Sequence, residues 1–285
     1  MKIIIVIFSV LLFTQTSTIA AETLRISPEN LAKIIDNQNV IILDARTKND
    51  YDVIHIKNAI NFPVELTYTN KKINGQVQEP QKIQSYFRER GISTSSVVYV
   101  YDNGDLVDAA RLLWTLEVYG INNVKILDHG FNYWLSKKLP VSQEQKEISP
   151  SQYVATINHK RLSSKFTTQL AIHNNNKIVI DARSQSAYKG ETSVAKRFGH
   201  IPSAINVPFT NNLTKDEDFA KLKPIQELKK LYSNIPKGKK IVIYCKIGRV
   251  SSTNYFALRE LGHDVSNYDA SWREWGNDIS LPIEK

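Results

Sequence analysis

The sequence predicts an α/β fold made of two tandem copies of one domain, each a parallel sheet flanked by helices on both faces. Two observations predict it. Short runs rich in Val and Ile alternate with helix-period stretches along the chain, which is the sequence form of a parallel sheet wound with helices. Four landmarks then recur in the same order in the two halves, as an internal repeat requires. The first is Val40-Ile41-Ile42-Leu43-Asp44-Ala45-Arg46, matched by Lys177-Ile178-Val179-Ile180-Asp181-Ala182-Arg183.

The other landmarks follow in chain order. Tyr51 and Tyr188 each precede a turn motif, His55-Ile56-Lys57-Asn58-Ala59-Ile60-Asn61-Phe62-Pro63 in one half and His200-Ile201-Pro202-Ser203-Ala204-Ile205-Asn206-Val207-Pro208 in the other. A buried-type strand comes next, Val97 to Asp102 against Ile241 to Cys245, each leading into a helical run. The last pair is Leu127-Asp128-His129-Gly130-Phe131-Asn132-Tyr133-Trp134 and Tyr268-Asp269-Ala270-Ser271-Trp272-Arg273-Glu274-Trp275. Helix starts are legible at Ser27-Pro28, a capping residue followed by proline in the first turn, and at Pro224. The polar stretch from Ser142 to Ser151 reads as linker, which sets domain bounds of 21–141 and 161–285 with a connection over 142–160.

The first 20 residues are a separate object. A short basic start, an apolar run from Ile3 to Phe13 broken only by Ser9, and a small-residue end at Thr18 and Ala20 read as an export signal cleaved after Ala20. The run is too short for a spanning helix, which needs about 20 apolar residues. No cysteine follows it, which excludes a lipid anchor there. The expectation is a periplasmic or secreted protein with no stable membrane insertion after signal removal.

Composition excludes several function classes. With 285 residues, 42% of them hydrophobic and 23% charged, the chain is globular and long enough for two domains. The net charge of +9 is dispersed, without an arginine-rich arm or RNA-binding aromatic motif, so no nucleic-acid partner is expected. Six scattered histidines and one thiol make no metal cluster, and no cofactor is expected.

That one thiol, Cys245, stands where a hydrophobic strand enters the loop Lys246-Ile247-Gly248-Arg249-Val250. A lone cysteine at a strand end is usually a small buried hydrophobe. The loop changes that reading: a glycine, two cations and a following helix all favour a thiolate, and ligands of such sheets bind beyond the carboxyl ends of the strands. The repeat sharpens the point, because features in both halves are fold and features in one half are candidates for function. His55 and His200 are then turn residues, and Trp134 and Trp275 are core. Cys245 faces Asp102, so the first half is expected to be non-catalytic and to contribute packing.

The tandem Asp-Ala-Arg, the His-Ile-Pro-x-Ala-Ile-Asn turn, the Tyr-Cys-x-x-Gly loop and the Tyr-Asp-x-Ser-Trp-x-Glu-Trp-Gly terminus together resemble the two-domain rhodaneses, the thiosulfate sulfurtransferases. The resemblance covers the chain after the signal. It implies a rhodanese fold in each half, an inactive first domain, a persulfide carried on Cys245, and Arg183 as an anchor for the substrate's anionic end. The repeat rule alone makes Arg183 structural, since Arg46 matches it.

The chemistry fits that implication. The outer sulfur of thiosulfate is electrophilic towards a thiolate, and sulfite leaves without needing a proton, so no histidine base is required. The site needs a nucleophile, cations for the sulfonate end and donors for the persulfide anion. Cys245 supplies the first, Lys246, Arg249, Arg183 and Arg197 the second, and the amides of the loop with Ile247, Gly248 and Val250 the third, with Gly248 allowing the curl. The partners are then a small anionic sulfur donor and a cyanide or thiol acceptor.

Departures from the family limit the donor. Ile247 stands where mammalian thiosulfate enzymes carry a cation, and Thr47 stands where mammalian rhodanese has tryptophan. Lys246 and Arg249 differ from the Cys-Gly-Ser-Gly loop of mercaptopyruvate sulfurtransferases. Two loop cations place thiosulfate first, with 3-mercaptopyruvate or a non-turnover persulfide carrier as alternatives. A cysteine phosphatase on this fold needs an arginine six positions after the cysteine, where this chain has Ser251.

Overall fold

The computed structural model describes residues 23–70, 75–216 and 219–285. The segment read as an export signal lies outside them. Among the described residues no helix is long and apolar enough to cross a membrane.

Each half builds a five-stranded, all-parallel sheet. In the first, the strands run in the order Arg25–Ile26, Val124–Leu127, Val97–Tyr101, Val40–Asp44, Ala59–Asn61. In the second the order is Leu162–Ser163, Val265–Tyr268, Lys240–Tyr244, Lys177–Asp181, Ile205–Asn206, the same topology. The register is also the same, with Asp44 opposite Tyr101 and Asp181 opposite Tyr244. The Val/Ile runs occupy central strands buried on both faces, as parallel sheets require. Between the sheets, residues 143–161 carry no helix or strand.

The repeated motifs prove to be strand-end locks. In each half the Asp-Ala-Arg carboxylate accepts from the arginine two residues on, at 2.6 Å from Nη2, and from the tyrosine hydroxyl of the neighbouring strand, also at 2.6 Å. The guanidinium then lies over an aromatic ring, Phe131 for Arg46 at 3.8 Å and Trp272 for Arg183 at 4.4 Å. His55 and His200 each donate from Nδ1 to a carbonyl, of Tyr51 and Tyr188, and stack on that tyrosine at 3.8 Å. Trp134 and Trp275 are fully buried.

The halves share one core. The helices Val107–Val118 and Ser251–Glu260, which follow the Asp102 and Cys245 loops, pack against each other, and Leu113, Trp114, Tyr255 and Phe256 join a cluster that also takes in Val98 and Ile243 from the two sheets. Burying such a side chain contributes about 1.5–3 kcal/mol each. Every residue of the first helix except Asp108 is buried. At its far end the Glu117 carboxylate takes two hydrogen bonds from Arg259, at 3.0 and 3.1 Å, which ties the halves with charge as well as apolar area.

An exchange of covers completes the pseudo-symmetry. The antiparallel hairpin Leu213–Asp216 with Phe219–Leu222, from the second half, lies on the Asp102 loop, where Ala220 N donates to Gly104 O at 2.8 Å. The corresponding first-half segment, bridged at Tyr68 and Val77, lies on the Cys245 loop. Each half therefore covers the loop of the other.

Candidate active site

Cys245 ends the central strand of the second sheet, and the chain turns sharply there. Gly248 has φ +72°, and a Cβ on it would stand 2.5 Å from Asp269 Cα, so both conformation and space demand glycine. The Ser271 hydroxyl fixes the turn from below: it accepts from Cys245 N and Gly248 N, both at 3.0 Å, and donates to Tyr268 O. That saturates a hydroxyl, which has one donor and two acceptor sites. Trp272 N and Arg273 N close on the carbonyls of Cys245 and Lys246 at 3.0 Å.

The first half supplies an internal reference for what the loop can hold. Asp102, aligned with Cys245, turns its carboxylate into its own loop, where Oδ1 accepts from Gly104 N at 2.9 Å and Leu106 N at 3.3 Å, and Oδ2 accepts from Ala109 N at 3.0 Å. Burial and the Asp105 carboxylate push Asp102 up to about 7, against the pull of the Ala109 and Gly104 amides. In the second loop the amides of Lys246, Ile247, Arg249, Val250 and Ser251 donate to no acceptor among the described residues. Two of these, Ile247 and Arg249, match in order the Gly104 and Leu106 amides that hold the Asp102 carboxylate. Successive backbone N–H groups left without acceptors in a turn before a helix are the kind of donor set that an anion can engage.

The structure brings together only part of the predicted set. Cys245, Lys246, Ile247, Gly248, Arg249 and Val250 share the loop. Lys246 is exposed and makes no ion pair among the described residues. Arg249 is already neutralised: its Nε lies 2.6 Å from Asp108 Oδ1 of the first half. Burial pulls that guanidinium down, but Asp108 outweighs it and holds Arg249 above the ordinary arginine range. Gly248 does not lend its amide to the cradle, because Ser271 takes it; its part is conformational.

Two expected cations are already engaged by the protein itself. Arg197 donates to the carbonyls of Gly276, Leu281, Trp275 and Asp278, so it is spent as a clamp on the C-terminal segment. Arg183 sits 2.6 Å from Asp181, its side chain 1% exposed, and a further bond runs to Gly199 O at 2.8 Å. Only its Nη1 lacks an acceptor. Its lock is the one Arg46 makes in the half without a cysteine, which is the physical reason to read it as fold.

Cys245 is 1% exposed. Its surroundings are polar as well as apolar: its own N–H donates to Ser271 Oγ at 3.0 Å, and the Arg249–Asp108 pair stands on the same loop. Burial pushes the Tyr68 phenol up to about 12, with Arg111 pulling the other way. The cover comes from the first half. Gly75 packs against Ile247, where an added Cβ would lie 2.3 Å from Ile247 O, and Val77 N donates to Asp269 Oδ2 at 2.5 Å. Sequence reading missed Tyr68, Asp108, Arg111, Asp269 and Ser271, which reach the loop from distant segments. A signal existed for Arg111, since the aligned position in the second half is Asn254.

The Asp108–Arg249 pair yields a prediction. Asp108→Asn frees one cation beside the loop, so KM for a dianionic donor is expected to fall about 2- to 5-fold, the equivalent of an exposed pair worth roughly 0.5–1 kcal/mol. Steady-state kinetics with a dianionic donor checks it, and an unchanged or higher KM would place Arg249 outside donor binding.

A repeated parallel α/β domain, with one thiol in an amide-lined loop and a carboxylate in its twin, defines a two-domain sulfurtransferase. The chain belongs to the rhodanese family: the Rhodanese-like domain matches residues 27–137 and 167–278. It is 32% identical over 246 residues to a Mycolicibacterium smegmatis protein provisionally named a thiosulfate sulfurtransferase, covering 82% of this chain and 87% of that one. It is 30% identical over 273 residues to the 3-mercaptopyruvate sulfurtransferase of Escherichia coli K12, covering 89% and 95%. The crystal structure of a 3-mercaptopyruvate sulfotransferase from Escherichia coli superposes with a TM-score of 0.77 at 28% identity, over 88% of this chain and 99% of that one. A Chlorobium limicola anaerobic ergothioneine biosynthesis enzyme, 20% identical, shares the fold with a TM-score of 0.80 over 92% of this chain and 70% of that one.

Proposed function

We propose that this sulfurtransferase moves the outer sulfur of thiosulfate to cyanide or a thiol through a persulfide on Cys245. The thiolate attacks the outer sulfur, a new S–S bond forms, and the bond to the sulfonate sulfur breaks, with sulfite leaving with the electron pair. An acceptor then attacks the outer sulfur of the persulfide; cyanide becomes thiocyanate and Cys245 returns as thiolate. No proton transfer is needed in the first step, and none of the loop side chains is a base.

The observation that supports this reading is the set of loop amides without acceptors among the described residues, beside a thiol, two of which, Ile247 and Arg249, have counterparts that bind a carboxylate in the first half. Such donors are worth most where negative charge resides on the outer sulfur of the intermediate. Lys246 is the loop cation left uncompensated, and it is assigned the sulfonate end of the donor. Lys246→Gln should raise KM for thiosulfate about fivefold, equivalent to roughly 1 kcal/mol, and leave KM for an uncharged donor unchanged. Equal effects on both donors would make Lys246 a surface charge.

A second reading, transfer from 3-mercaptopyruvate, is favoured by one observation: Asp108 neutralises Arg249, which reduces the local charge offered to a dianion. The Escherichia coli relative of that name fits it equally. Both readings share the persulfide, and initial rates with the two donors under identical conditions decide between them. Catalytic sulfite release with double-reciprocal lines that stay parallel is expected with thiosulfate and cyanide. A single equivalent of sulfite would indicate a carrier instead of an enzyme. The site of action proposed is outside the cytosol, and the N-terminal residue of the exported protein, expected near Ala21, tests it.

A further inference from the structure

We propose that Arg111, a residue of the cysteine-less half, is a positioning residue for the persulfide loop: it fixes the Gly248–Arg249 peptide so that the Arg249 N–H faces the transferred sulfur. The proposal rests on the persulfide reading above. Arg111 is 0% exposed and has no carboxylate within ion-pair distance among the described residues. Its donors go to backbone and hydroxyl oxygens of three segments. Nη1 donates to Gly248 O at 3.1 Å, Nη2 to Gly75 O at 3.2 Å and Thr67 O at 3.4 Å, and Nε to Thr67 Oγ1 at 3.3 Å. The plane is held between two rings, Tyr68 at 4.3 Å and Trp114 at 4.4 Å.

The consequence follows from peptide geometry. In a trans peptide the C=O of one residue and the N–H of the next point in opposite directions. Gly248 O is held by Arg111 Nη1, by Asn267 Nδ2 at 3.1 Å and by Ser252 Oγ at 3.1 Å. The Arg249 N–H, which has no acceptor among the described residues, is thereby turned to the opposite side of the loop. Asn267 and Ser252 belong to the catalytic half, and Arg111 is the contribution of the other. A fully buried guanidinium with no carboxylate within ion-pair distance among the described residues is costly to keep, and a planar fork suits three convergent oxygens better than an ammonium does. The matching position, Asn254, donates to Val207 O at 2.9 Å and has no such task.

The test uses the full-length chain and two readouts. In Arg111→Lys, kcat for thiosulfate:cyanide transfer should fall about 10-fold or more while KM for thiosulfate stays within twofold, because Lys246 is untouched; losing one such donor outright costs about 10²–10³. The pH profile of Cys245 alkylation by iodoacetamide should move to higher pH, since a misaimed amide no longer favours the thiolate. Thr67→Val, which keeps Arg111 but removes one of its anchors, should shift both readouts the same way by a smaller amount, and it decides the matter if Arg111→Lys does not fold. Methylguanidinium should restore part of the rate to Arg111→Ala. A merely structural Arg111 would lower the melting temperature and leave the alkylation profile on that of the wild type, and that outcome overturns the proposal. Alkylation needs no sulfur donor, so a wild type that thiosulfate fails to load sinks the persulfide reading separately.

Discussion

Cys245→Ser is expected to abolish sulfur transfer while leaving the fold intact. The serine oxygen has the right position and the wrong chemistry. A hydroxyl at neutral pH is not ionised and cannot hold a transferable sulfur, and no base stands in the loop to activate it. The structural cost is modest. The thiol is buried, so a hydroxyl there loses hydration without a guaranteed partner, about 1–3 kcal/mol. For a chain of this size that corresponds to roughly 2–4 °C in melting temperature per kcal/mol. Turnover with thiosulfate and cyanide should fall to the level of a protein-free control, alongside an unchanged far-UV spectrum. Residual turnover above a tenth of wild type would remove the thiol from the mechanism.

The second large effect is expected at Gly248, where the loop has no room for a side chain. Alanine there meets Asp269 Cα at 2.5 Å and must also adopt φ +72°. The left-handed conformation alone costs an ordinary residue about 1–3 kcal/mol when held by its surroundings. The collision with backbone cannot be relieved by a rotamer change, so the loop itself must move. It carries the amides proposed to hold the persulfide anion, and a displacement near 1 Å costs about 10²-fold in rate. Gly248→Ala should therefore lose about 10²-fold in kcat and remain folded, with sulfur loading from thiosulfate slowed in proportion in a single-turnover measurement. A rate within threefold of wild type would mean that the loop tolerates several backbone conformations, and that the amide arrangement is not what drives the reaction.

The fold was legible because it is written twice. Asp44-Ala45-Arg46 and Asp181-Ala182-Arg183, the two histidine turns and the two tryptophans occupy matched places and make matched contacts, so repetition by itself separated frame from function. The same rule made Arg183 structural, and its lock on Asp181 repeats that of Arg46; the assignment as a substrate anchor came only from family resemblance. Arg197 was expected among the cations for the sulfonate end, yet four carbonyls of the C-terminal segment engage it. Chain order could not reveal this, because those carbonyls lie about 80 residues away and backbone acceptors leave no mark in a sequence.

The loop itself was found from one cysteine, one glycine and the strand before them. What surrounds it was not. Asp108, Arg111 and the segment through Gly75 and Val77 belong to the other half, and they reach the loop because the two helices cross in one core and each half covers the loop of its twin. A cation beside a nucleophile reads as substrate-binding in one dimension. In three dimensions Asp108 takes that charge from Arg249, and the electrostatics of the site become a joint property of the two domains.

The most direct measurement is the mass of the intact protein after incubation with thiosulfate alone, followed by mapping of the modified peptide. The account predicts one added sulfur, carried on Cys245, and its removal by cyanide with release of one equivalent of thiocyanate. Sulfite released over many turnovers from a protein whose Cys245 never gains mass would contradict it.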